Sequence, residues 1–87
     1  MKTGKSVVER YFQDGILTIV PSKHTAKVQV MEYIITFIEP QRVYTEKEVN
    51  ELIKPIYHDF AIIRRYLIDF RLQSRSKDGK EYWVTEK

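Results

Sequence analysis

Cysteine is absent from this chain of 87 residues, which excludes a disulfide framework and any thiolate metal site. Glycine is scarce, three residues in all, leaving little scope for a phosphate-cradling loop. Histidine occurs only at His24 and His58, too few and wrongly spaced for a metal centre of three or four ligands. His58-Asp59 resembles the start of an acid–base pair but lacks a third partner; a turn histidine followed by a helix-capping aspartate is the simpler reading. No apolar run approaches the ~20 residues that span a bilayer, and Met1-Lys2-Thr3-Gly4-Lys5 lacks the apolar stretch of a secretory signal. The expectation is a single cytoplasmic domain, non-enzymatic, with no cofactor, no metal and no membrane contact. A hydrophobic content of 43% and a charged content of 31% are those of a globular protein.

What the chain does have is uneven charge. The net value is only +3. From Arg64 to Lys80, however, the basic residues Arg64, Arg65, Arg71, Arg75, Lys77 and Lys80 face only Asp69 and Asp78. From Glu39 to Glu51 the balance reverses, with Glu39, Glu46, Glu48 and Glu51 against Arg42 and Lys47. A positive C-terminal third fits a polyanionic partner; solvated faces of a helix and a hairpin give the same pattern.

Val7, Val8, Tyr11 and Phe12 recur at helical spacing, and Asp14-Gly15 interrupts them. Ile16 to Val20 reads as a strand, and Ser22 as an N-cap for a helix from Lys23 to about Phe37 with Val28, Met31, Ile34, Ile35 and Ile38 inward. Val43-Tyr44 allows a stub of strand. Thr45-Glu46-Lys47-Glu48 is a capping box, opening a helix from Glu46 to about Lys54 with Val49, Leu52 and Ile53 inward. Asp59 caps a third helix reaching Phe70, seamed by Phe60, Ile63, Leu67 and Phe70. Leu72 to Arg75 and Glu81 to Thr85 then form a hairpin over Asp78-Gly79. The predicted fold is α+β, a winged helix-turn-helix over residues 23–87 with an additional N-terminal helix and strand over residues 1–22, all in one compact domain.

Several stretches together carry a family resemblance: Tyr44-Thr45-Glu46-Lys47-Glu48-Val49-Asn50, His58-Asp59-Phe60, Ile63-Arg64-Arg65-Tyr66-Leu67 and Asp78-Gly79-Lys80-Glu81-Tyr82-Trp83, with Phe12-x-Asp14-Gly15 and Pro21-x-Lys23 upstream. By these the chain resembles the DUF2087 family of bacterial proteins, from about Tyr11 to Trp83. The resemblance implies a winged-helix-like domain, found alone or attached to transcriptional regulators. Phe70-Arg71 departs from the family pattern of an aromatic followed by glycine, and adds a positive charge at the helix–wing junction.

Two functions of different class follow. In the first, the third helix enters the major groove of duplex DNA and the hairpin grips phosphate. The residues expected at DNA are Lys47, Asn50, Ile62, Arg64, Arg65, Arg71, Arg75, Lys77 and Lys80, with Lys23 or Lys27 adding backbone contacts. Arg64 and Arg65 sit about 100° apart on a helix. One can therefore face DNA while the other pairs with Glu46 or Glu48. A homodimer through Tyr11, Phe12 and the Ile16–Val20 edge would match a two-fold site. In the second, the domain is a protein-interaction adaptor, for which Ile62, pointing partly outward, and Asp59, repelling phosphate, speak. Tyr44, Tyr82 and Trp83 read as packing residues, with base stacking as the alternative.

Overall fold

The computed structural model describes residues 9–85. Its architecture is α+β, with two small antiparallel hairpins around a helical core. Residues 9–11 are helical, but Phe12 belongs to a strand rather than to that helix; Val7 and Val8 lie outside the described residues. The strand β1 (Phe12–Gln13) pairs with β2 (Ile16–Leu17), and Asp14-Gly15 forms the turn between them. Both turn residues have positive φ, 54° and 81°, as a two-residue type I′ turn requires. Asp14-Gly15 is thus a hairpin turn as well as a helix stop, and the expected strand over Ile16–Val20 shrinks to two residues. The hairpin folds inward: Leu17 is buried, its amide donates to the Ile56 carbonyl at 2.8 Å, and Phe12 meets Tyr33 edge-on.

The helix α1 (His24–Ile35) begins one residue later than a Ser22 cap would place it. Its N-cap is Lys23, without a side-chain cap, because Ser22 is then too far back to reach the second or third helical amide. The buried stripe is Val30, Met31, Ile34 and Ile38, whereas Val28 and Ile35 are only half-buried. Beyond Ile35 the chain tightens through i→i+3 bonds to Tyr33, Ile34 and Ile35, so α1 ends before Phe37.

The helix α2 (Glu46–Ile53) opens on the complete capping box. The Glu48 amide donates to Thr45 Oγ1 at 3.1 Å and the Thr45 amide to Glu48 Oε1 at 2.9 Å. Such a cap stabilises by about 1 kcal/mol. Val49 and Ile53, four apart, enter the core; Leu52, expected inward, is 37% exposed. The helix α3 (Phe60–Asp69) is capped by Asp59, whose Oδ1 accepts from the Ile62 amide at 3.3 Å. Ile63 and Leu67 are fully buried between α1 and α2, with Phe60 and Phe70 partly buried at the ends.

The strands β3 (Gln73–Arg75) and β4 (Tyr82–Val84) pair with Gln73 opposite Val84 and Arg75 opposite Tyr82. The expected strand stub is a single bridge: Tyr44 and Tyr82 exchange both backbone hydrogen bonds, at 2.7 and 2.8 Å. The order is therefore helix, bridge, helix, turn, helix, hairpin, on one core that also takes in Leu17. Among the described residues no helix is long and apolar enough to cross a membrane.

Candidate nucleic-acid interface

Adjacent arginines on α3 have opposite fates. Arg64 turns toward α2, where its Nη1 donates to Asn50 Oδ1 and its Nη2 lies 3.4 Å from Glu46 Oε2. Its side chain is 19% exposed and its guanidinium lies 5.9 Å from the centre of the Tyr82 ring. Arg64 and Asn50, both expected at DNA, thus hold α2 and α3 together through each other. Arg65 is exposed and forms no ion pair within 4 Å among the described residues. The geometry assigns the outward role to Arg65.

Between α3 and the hairpin lies an open cleft of about 440 Å³. Ala61, Arg65, Ile68 and Asp69 line one wall, Arg75 and Tyr82 the other, and Glu46 with Arg64 closes one side. Arg75 is exposed and its guanidinium lies over Gly79, with Nη1 3.1 Å from where a Cβ would stand. That approach and the φ of 73° together make glycine the fitting residue at the loop tip.

The loop carrying Lys77 and Lys80 is internally ordered. Asp78 Oδ1 accepts from the Ser76 hydroxyl at 2.6 Å and from the Lys80 amide at 3.1 Å. The Ser76 bond first, and the Lys80 amide after it, hold the Asp78 carboxyl below its ordinary value. Ser76 Oγ also accepts from the Glu81 amide, at 3.1 Å. The carboxylate is engaged within the loop, and both lysines stand exposed.

The remaining expected residues are spread more widely. Arg71 is exposed just beyond α3, with φ of 62°. Ile62 is half-buried against the core. Lys47 lies away from the cleft, on a second groove lined by Phe37, Leu52, Glu39 and Glu51. Lys27 is occupied, its ammonium 4.6 Å from the centre of the Tyr66 ring. The His58 ring lies against Tyr57. Tyr44 is buried, with its hydroxyl accepting from the Glu39 amide at 3.0 Å, and Tyr82 is buried on β4, in keeping with packing roles.

The cleft also holds a residue outside the expected set. Asp69 is exposed there, four residues after Arg65. Its spacing from Arg65 was the available signal, since i and i+4 share a helix face.

The model of a family described as an uncharacterized protein conserved in bacteria, DUF2087, matches residues 16–84. No curated protein and no solved structure matches the chain significantly.

Proposed function

The chain belongs to the DUF2087 family of bacterial proteins, and from that premise we propose that it is a non-enzymatic, cytoplasmic DNA-binding domain of winged-helix type, serving a transcriptional regulator. In this reading α3 lies in the major groove and the β3–β4 hairpin is the wing, resting on the neighbouring phosphates. The observation that carries it is the state of the cations. Arg65, Arg71, Arg75, Lys77 and Lys80 are all exposed on α3, its junction and the hairpin, and none is in an ion pair within 4 Å among the described residues. Of the carboxylates nearby, Glu46 is engaged with Arg64 and Asp78 within its own loop, while Asp69, in the cleft with Arg65 and Arg75, forms no ion pair within 4 Å among the described residues. The bridge from Tyr44 to Tyr82 supports the same reading, because it adds the short strand that ties a wing to the segment before the helix-turn-helix.

Two protomers would meet through the N-terminal hairpin and the residues just after it, where Ile16 and Ile19 are 51% and 60% exposed. The competing reading, an adaptor for another protein, is favoured by a different feature. Phe37 and Leu52 are exposed along one groove, and Val43 and Trp83 line the adjoining one.

Fluorescence anisotropy of the purified chain with duplex DNA across a salt series decides between them. Phosphate-driven binding lowers log K against log salt with a slope of about −0.9 per phosphate neutralised. Arg65→Ala and Lys77→Ala should each flatten that slope by about one. Arg64→Ala should instead lower the melting temperature. Binding that is absent at low salt, or indifferent to salt, refutes the proposal and leaves the adaptor.

A further inference from the structure

Ala61, Arg65 and Asp69 follow one another at intervals of four along α3, so they form a single stripe. All three are exposed and all three line the cleft that opens toward the hairpin. Ile63 and Leu67 occupy the buried side of the helix. Four residues advance a helix by about 6 Å. That is close to two base-pair steps of about 3.4 Å along a duplex.

Asp69 is badly placed for the protein's own sake. It is the last residue of α3, where the helix macrodipole disfavours a carboxylate. Among the described residues it forms no ion pair within 4 Å, although it follows Arg65 by one turn. A surface meant only for phosphate would present donors alone. This stripe presents the donors of Arg65 and the acceptor oxygens of Asp69 one turn apart, with the small Ala61 preceding them.

In the major groove guanine offers two acceptors, N7 and O6, and cytosine offers the donor of its N4 amino group. An arginine and a carboxylate are the side chains that match those two edges. We infer that Arg65 and Asp69 read sequence, Arg65 on a guanine and Asp69 on a cytosine within two base-pair steps, while Ala61 lets the helix approach the floor of the groove. Arg75, on the other wall of the cleft, offsets the carboxylate's repulsion of the backbone. This inference rests on the DNA-binding reading, and names the bases that reading leaves open.

The experiment is selection of duplexes from a randomised library by the full chain, repeated with Asp69→Asn and Asp69→Ala. The wild-type chain should enrich a site with guanine and cytosine at those spacings. Asp69→Asn should move one position from cytosine to adenine, because asparagine pairs with adenine N6 and N7, by about 5- to 150-fold. Asp69→Ala should lose the cytosine preference without gaining another. Arg65→Gln should shift the guanine position toward adenine in the same way.

Asp69 is exposed and its charge opposes the helix dipole, so melting temperatures of its variants should equal or exceed that of the wild type, which excludes misfolding as the cause. Salt-sensitive binding with an unchanged preferred site in both Asp69 variants overturns the base-reading role and leaves DNA binding standing. Enrichment of no sequence by the wild-type chain overturns the base-reading role, and failure to retain any duplex at low salt overturns both.

Discussion

Replacing Arg71 by glycine should make the domain more stable and, on the function proposed above, weaken its binding to DNA. Arg71 stands one residue beyond the C-cap Phe70, with φ of 62°. Its amide donates to the Ile68 carbonyl at 3.0 Å, and the Leu72 amide reaches back to the Leu67 carbonyl at 2.9 Å. Those two bonds make a Schellman motif, whose left-handed position glycine fills most readily. An L-residue there costs about 1–2 kcal/mol. Glycine returns about 0.5–1 kcal/mol of that through its greater freedom in the unfolded chain. Central values of the two leave a net gain of about 0.75 kcal/mol, and at about 4–8 °C per kcal/mol for a domain of this size the melting temperature rises by about 3–6 °C. The side chain is exposed, so little packing is lost with it. Calorimetric or circular-dichroism melts at neutral pH give the result directly. An unchanged or lower melting temperature refutes the strain argument. In the salt series the same variant should flatten the binding slope by about one. A higher melting temperature with an unaltered slope would keep the strain and remove Arg71 from the DNA contacts.

Two further outcomes concern the hairpin. Gln73 is 1% exposed and neither amide atom of its side chain has a hydrogen-bond partner among the described residues. Gln73→Met should therefore raise the unfolding free energy by about 1 kcal/mol or more, read from urea denaturation, and a loss of stability would show that the amide is satisfied. Asp78 has a folded-state pKa below its unfolded value, so its contribution is complete above the unfolded pKa and disappears as pH falls through the folded one. An NMR titration should place the Asp78 midpoint below 3.8, with the Lys80 amide resonance moving in step. A midpoint at or above that value, or one that fails to rise in Ser76→Ala, contradicts the assigned cause.

The elements that were legible in the sequence are those whose cause is local. Thr45 and Glu48 form their box, and Asp59 its cap, using atoms within three residues. The Asp78-Gly79 hairpin and the break at Asp14-Gly15 follow from residues that tolerate positive φ. Misplaced features depend on distant partners. Nothing near Val28 or Leu52 in sequence tells which way their helices roll; the packing of α1, α2 and α3 around Ile63 and Leu67 decides it. The strand after Gly15 is short because its partner segment is helical as far as Tyr11, so pairing goes no further than the Thr18 amide on the Tyr11 carbonyl at 2.8 Å, while the Leu17 amide turns to the Ile56 carbonyl 39 residues later. At the candidate interface, adjacency alone separated Arg64 from Arg65. Only the tertiary contacts with Asn50 and Glu46 show that Arg64 is the one turned inward.

Tyr44 and Tyr82 clasp each other by two main-chain bonds, and the consequence is mechanical. The projecting loop with its two lysines is not a loose flap. Its base is bolted to the residue immediately before the Thr45 cap, so its tilt and the orientation of α2 are set by one joint. On the proposed DNA-binding reading, a jaw held at that joint leaves any adjustment of fit to the duplex, and whatever bending or groove narrowing that takes would discriminate among sequences the side chains never reach.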